Sequence, residues 1–390
     1  MFFKAHTGPV AVSLATVLFW GNVVAAPPND PYYQDQSAPT QRGLKQINPE
    51  PAWACSKGRN VVVAVLDSGL VLHPEDSPAS VLPGMDFIQT EDGGVATSVD
   101  PNGHGTHLTG IIAAATDNGR GIASVAPQAT ILPLRVLREN LVHKVNGTGA
   151  DTELSTIQGL KAAAQYSEDQ QVNVVINASF GSTLSNGYCN ALQTIAQNPK
   201  ARVLVVAAAM NSGLDEPHYP AACTLAGVDN LLSVGSVNSS TNLRDRVASY
   251  SNRGCWVNTF APGSEVMSTW SPEIPPRGGV TRYENGIYAT WFGTSQAAAF
   301  VSGAAAVLWS MAPEKTAAEI VTLLRQSADP VFSAAGAALD DCSDPSRNQH
   351  RGRINLGEAM KSIDGSQCTQ STEHPPSPPQ RPGNFTVEME

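Results

Sequence analysis

The chain of 390 residues is long enough for one large domain or two ordinary ones. Only 15 % of its residues are charged, which argues against long surface helices and coiled coils, while 33 Gly and 28 Pro point to a turn-rich globular chain. A formal net charge of −10 with scattered basic residues disfavours a nucleic-acid partner, which needs a positive face.

The amino terminus reads MFFKAHTGPVAVSLATVLFWGNVVAAPPND, with Lys4 ahead of an apolar stretch from Pro9 to Val24 and small residues after it. That is the layout of a secretory signal peptide. Cleavage is expected after Ala25, because cutting after Ala26 would put Pro27 beside the broken bond. The alternative, an uncleaved membrane anchor, is disfavoured by a short stretch that Gly21 and Asn22 interrupt. The expected division is a signal peptide over 1–25, a folded domain over 26–365 and a Pro-rich, disordered tail over 366–390.

The first buried strand is NVVVAVLD (60–67), and it ends in Asp67. A carboxylate at the end of a buried strand can hold an imidazole by its ring N–H, and a turn or cap Asp is the plain alternative. The segment HGTHLTGIIAAA (104–115) reads as a helix opened by His104, with Gly103 and Gly105 leaving room for close approach. His107 lies three residues on. A two-histidine metal site is thinkable, but H-E-x-x-H is absent and no third ligand suggests itself. His107 is therefore read as a packed core histidine, and no metal ligand is assigned.

Further strands are read at ATILPLRVL (129–137), VNVVINAS (172–179), RVLVVAAA (202–209) and LLSVGSV (231–237), with a helix at ELSTIQGLKAAAQY (153–166). Alternating elements of this kind imply a parallel sheet covered by helices. Asn211 follows the 202–209 strand; its amide could donate to a developing oxyanion, or simply serve the turn before Ser212 and Gly213. In GTSQAAAFVSGAAAVL (293–308), Ser295 meets an Ala-rich helix, either as its cap or as a nucleophile. A second helix is read near Pro313 to Ser327.

Asp67, His104, Asn211 and Ser295 occur in this order, each at an element end and flanked by Gly or small residues. With the words AVLDSG, NGHGTHLTG, VVAAAMNSG, FAPG and GTSQAAAFVSG, the chain resembles the subtilisin-like serine proteases over roughly residues 30–362. The resemblance implies an α/β, three-layer subtilisin-like fold with a central, mostly parallel sheet flanked by helices. It implies Ser295 as nucleophile, His104 as general base and then acid, and Asp67 as the orienter of His104. Asn211 would form the oxyanion hole with the Ser295 backbone N–H. Ser179, Phe180, Gly181 and Met210 would shape the substrate pocket, and an extended substrate would pair near Phe180 and Gly181 and near Val136 to Arg138.

The implied function is a secreted serine endopeptidase over 26–365 that forms an acyl-enzyme on Ser295. It would act on protein or peptide substrates as a monomer, with no nucleic-acid partner and no membrane contact after signal removal. No cofactor is required for catalysis. A structural calcium ion is implied at loops matching Glu75 and TDNGRGI (116–122), although Arg120 stands in that loop. A catalytically inactive, subtilisin-like binding protein is the alternative, opposed by the four intact groups. An α/β-hydrolase-type esterase is disfavoured because no G-x-S-x-G occurs.

The sequence also departs from the family. Gln296 and Ala299 stand where Met and Pro are common, and Met210 stands where Gly is usual before the oxyanion Asn. A thioether there should intrude on the substrate pocket or swing aside. The stretch from Ala25 to Asp67 is too short for an ordinary folded propeptide. Six cysteines on an exported chain suggest disulfides, and no C-x-x-C pair indicates a zinc ribbon. Loop lengths lead to the expectation of Cys189–Cys223 and Cys342–Cys368, leaving Cys55 with Cys255 by elimination.

Overall fold

Runs of Val, Leu, Ile and Ala with no polar alternation form strands that must be covered on both faces. Six of them build the centre of the computed structural model: β1 (Val61–Asp67), β2 (Thr130–Arg135), β3 (Asn173–Ala178), β4 (Val203–Ala208), β5 (Leu231–Val237) and β6 (Thr259–Pro262). The structure describes residues 25–35, 41–88, 100–138, 150–183, 186–240, 242–275, 278–337, 339, 342 and 351–363. The tail and, apart from Ala25, the signal segment lie outside these residues.

The strands run in the order β6-β5-β4-β3-β1-β2, each parallel to its neighbours. Gly352–Arg353 extends the sheet beyond β6, and Asp329–Pro330 closes that edge antiparallel. At the other edge, Ser80–Val81 pairs with the start of β2 and Met85–Asp86 with its end. Pro133 falls between these two partners, where a missing N–H leaves no gap in the ladder.

Side chains alternate along β1, so Val61, Val63 and Val65 enter one core and Val62, Ala64 and Leu66 the other. The first core is covered by α1 (His104–Ala113), α4 (Thr294–Met311) and α5 (Ala317–Gln326), the second by α2 (Ala150–Gln170) and α3 (Asn186–Gln197). The three-layer α/β architecture expected from the sequence is the one found. Strand β6 and helix α3 were not expected. The first is only four residues long and ends in Pro; the second does carry a helical signal, with Tyr188, Ala191, Leu192 and Ile195 on one buried face. A small antiparallel sheet, β7 (Val266–Thr269), β8 (Thr281–Tyr283) and β9 (Tyr288–Trp291), was likewise missed. It lies just ahead of α4 in the chain and packs on α1 through β7.

The disulfides correct part of the expectation. Cys189–Cys223 forms as expected, with Cα atoms 5.3 Å apart. Cys342, however, pairs with Cys255 rather than Cys368, with Cα atoms 5.6 Å apart, which also excludes Cys55–Cys255. The reason is topological rather than a matter of loop length. Arg351 donates to the carbonyls of Gly254 and Val257 and to Cys342 Sγ, tying this late segment to the turn before β6. Cys55 is also disulfide-bonded.

Candidate active site

From β1 the chain moves outward to β2, then crosses back to place β3 on the other side of β1. In an open α/β sheet, the crevice for a ligand opens outside the carboxyl ends of such strands. Asp67 ends β1, Val136 to Arg138 follow β2, Ser179 to Gly181 follow β3, and Met210 and Asn211 follow β4. The fold thus sets these residues at the carboxyl ends of neighbouring strands.

Asp67 is fully buried. Its carboxylate accepts from the Ser68 backbone N–H at 2.8 Å, and His104 Nδ1 lies 2.8 and 2.9 Å from its two oxygens. His104 is the first residue of α1, after Gly103, whose φ of +87° suits glycine. Gly105 follows, and a Cβ there would meet the Gly69 carbonyl oxygen at 2.1 Å. Only glycine lets the helix come close enough for the imidazole to reach β1. The ring packs nearly perpendicular to Trp291, with centroids 5.4 Å apart. His107 points into the core, where Nε2 bonds the Ala289 carbonyl; burial pulls its pKa down to about 3.

Ser295 is the second residue of α4 and not its cap, a position that Gly293 takes. Its backbone carbonyl accepts a hydrogen bond from Ser179 Oγ at 3.3 Å. Asn211 is held from the same helix end: its Oδ1 accepts from the Thr294 N–H at 2.8 Å and from Thr294 Oγ1 at 3.1 Å. With the carbonyl engaged, the amide nitrogen is the end left to donate. The free N–H groups and dipole at the start of α4 favour negative charge at the same place.

The model of the subtilase family matches residues 58–355. The chain belongs to the subtilase family. It is 33 % identical over 304 residues to thermitase of Thermoactinomyces vulgaris, covering 78 % of this chain and 92 % of that protein. It is 31 % identical over 338 residues to an extracellular protease of Xanthomonas campestris pv. campestris, covering 77 % of this chain and 53 % of that one. The solved structure of sphericase superposes with a TM-score of 0.63 at 29 % identity, covering 78 % of this chain and 96 % of that one. This subtilase is accordingly a serine-type endopeptidase, a hydrolase of protein or peptide substrates. Among the described residues, no helix is long and apolar enough to cross a membrane.

Sequence reasoning passed over two groups in this subtilase. Ser68 and Asp100 lie buried behind Asp67, linked to each other by a 2.8 Å hydrogen bond. Their sequence signal was the Asp of DPNGHGT, four residues before His104, which could have been read as a helix-capping carboxylate.

The loop over 116–122 is engaged by different acids from the one expected. Asp30 accepts from the Asp117 and Asn118 N–H groups, and Asp76 from the Ile122 N–H, Asn118 Nδ2 and the Tyr288 hydroxyl. The Glu75 carboxylate lies 3.4 Å from that hydroxyl, and it is the Glu75 backbone carbonyl that meets the loop, accepting from Asn118 Nδ2 at 3.3 Å. Burial raises the pKa of both Asp30 and Asp76, and the charge of Asp76 adds to the shift at Asp30. Among the described residues, no group of three or more His, Cys, Asp or Glu gathers as a metal site.

Met210 adopts φ +76°, the left-handed region that a non-glycine residue occupies at a cost. Its side chain lies over Gly181: a Cβ on that glycine would fall 2.8 Å from Met210 Sδ. The thioether has not swung aside. Met210→Gly is expected to relieve the backbone and to clear this wall. Each methylene of ligand burial is worth about 0.8 kcal/mol, so kcat/KM for Phe or Tyr before the cleaved bond should rise by roughly tens-fold relative to Leu or Ala. A peptide series varying only that residue measures the ratio, and an unchanged ratio shows that Met210 does not set it.

Proposed function

We propose that this subtilase is an exported endopeptidase that cleaves through an acyl-enzyme on Ser295. The observation that carries the reading is the buried Asp67 carboxylate held on His104 Nδ1, which leaves Nε2 for proton transfer. On this reading Ser295 Oγ attacks the scissile carbonyl while His104 takes its proton. The imidazolium that results is stabilised by Asp67, and the tetrahedral oxyanion by Asn211 Nδ2 and the Ser295 N–H. His104 then gives the proton to the departing amine, the C–N bond breaks, and water repeats the cycle to release the acid. The nucleophile, base and oxyanion donors are all protein groups, so no cofactor enters the steps.

The substrate would lie extended between Phe180–Gly181 and Val136–Arg138, with Ser179 holding the Ser295 carbonyl and Met210 walling the pocket. Disulfides and an extracellular relative support export. The mature enzyme would be a monomer without residues 1–25, with its catalytic domain over 26–365 and the 366–390 tail outside it.

Ser295→Ala should abolish peptide hydrolysis while leaving the melting temperature and export unchanged; activity within a few-fold of the parent ends the assignment. Asn211→Ala should lower kcat by roughly 10²–10³-fold, the loss typical of one oxyanion donor, with KM barely moved. An effect confined to KM makes Asn211 a substrate-binding residue instead.

A structural calcium ion belongs to the same reading. Asp30 and Asp76 are buried carboxylates with no Lys or Arg ion pair among the described residues; their oxygens accept from the loop N–H groups, Asn118 Nδ2 and the Tyr288 hydroxyl, while Asn118 Oδ1 accepts from the Arg120 N–H. A hard cation bound to these two carboxylates would replace those donors and tie the amino-terminal segment to the 116–122 loop. Chelation should then lower the melting temperature, and added calcium should restore it. An unchanged melting temperature in excess chelator removes calcium from the account.

A further inference from the structure

Ser68 Oγ lies 2.8 Å from Asp100 Oδ1 and 3.1 Å from Asp67 Oδ1. A hydroxyl has one proton, so it cannot donate fully to both carboxylates. Its lone pairs are also used, since it accepts from the Gly105 N–H at 3.1 Å. The question is where the proton goes.

Asp100 is 2 % exposed and is fixed from all sides. It accepts from the N–H groups of Asn102, Gly103 and Thr106 at 3.0, 2.7 and 2.9 Å, and from Thr106 Oγ1 at 2.7 Å. Thr106 Oγ1 itself accepts from the Val71 N–H, so its own proton is turned to Asp100. A carboxyl surrounded by donors has no place for a proton of its own and acts as an anion, a strong acceptor. The shorter contact and this anchoring draw the Ser68 proton to Asp100.

We infer that Asp100 is a positioning residue for the Asp67–His104 pair, acting through the Ser68 hydroxyl and the first turn of α1. Two effects follow from the one carboxylate. By accepting from the Ser68 hydroxyl it leaves Asp67, among the described residues, with only the Ser68 N–H and His104 as donors, so the charge of Asp67 is directed at the imidazole. By binding the Gly103 and Thr106 N–H groups it fixes the backbone on either side of His104. It also sets a second negative charge behind the first, which favours the imidazolium formed during acylation.

Among the described residues, the groups facing His104 are few. Asp67 comes from β1, Asp100 from the loop before α1, and His107 from α1 itself. Of the elements packed on α1, β7 and α4 bring no charged side chain, and Arg135 of β2 is paired with Asp86. Removing the charge of Asp100 therefore changes a small set.

The inference rests on the triad reading, so Ser295→Ala is run beside the tests. Asp100→Asn should lower kcat by about ten-fold or more with KM within about two-fold, as expected when a reacting group is misplaced. The acid limb of its kcat/KM profile should move to lower pH, because the imidazolium loses a stabilising charge. If Asp100→Asn fails to fold, Thr106→Val removes one donor and keeps the side-chain shape; it should lower kcat about two- to five-fold at constant KM. A folded Asp100→Asn, or in its place Thr106→Val, with parental kcat and an unmoved acid limb would leave Asp100 as a helix cap only and overturn the inference. If Ser295→Ala keeps its activity, it is the triad reading that fails.

Discussion

The burial of Asp67 at the end of β1 is the constraint on which the site depends. A lone carboxylate in a protein interior is costly unless hydrogen-bonded, and removing one partner from a buried charged pair costs about 3–5 kcal/mol. The strand that carries it cannot help, because both of its faces are apolar and both of its neighbours are paired. The compensating donors must come from outside the sheet. His104 reaches it only because α1 begins directly above the strand end, and α1 can begin there only with Gly at 103 and 105. The tight contact of Gly103 with Trp270 and the edge contact of Trp291 with His104 then make the small antiparallel sheet part of the site.

How much of this was legible in the sequence depended on the range of the forces involved. The central strands were readable because continuous Val, Leu and Ile runs have one stable fate, burial on both faces. Asp67, His104, Asn211 and Ser295 were readable because polar residues at the ends of such runs stand out, and because their surrounding words match a family. Strand β6 and the β7–β9 sheet were not, since strands of three or four residues carry too little pattern to separate from turns. The Cys255–Cys342 bond was missed for a different reason. Loop length is a weak guide to pairing when a distant side chain, here Arg351, decides which backbone segments meet.

A second buried charge closes the far edge of the sheet. Arg353 bonds Asp245 and Asp329 at 2.5 Å each and also donates to the Gln46 carbonyl. The Leu356 N–H meets the Ile47 carbonyl beside it. Early and late parts of the chain are therefore joined at one guanidinium, on the side of the sheet away from β1. This separates the parts that must hold still for stability from the edge where substrate must enter.

Helix α4 carries the last consequence. Every one of its residues except Ser310 is buried, and it packs on α1 and on five strands of the sheet. An active-site serine on a surface loop could lose its place by local fluctuation while the domain stayed folded. Ser295, the proposed nucleophile, instead rides on a shaft through the middle of the protein. The hydrogen-bonded amides beyond its first turn exchange with solvent only when the core itself opens, so on this reading heat inactivation and cooperative loss of the fold are one event.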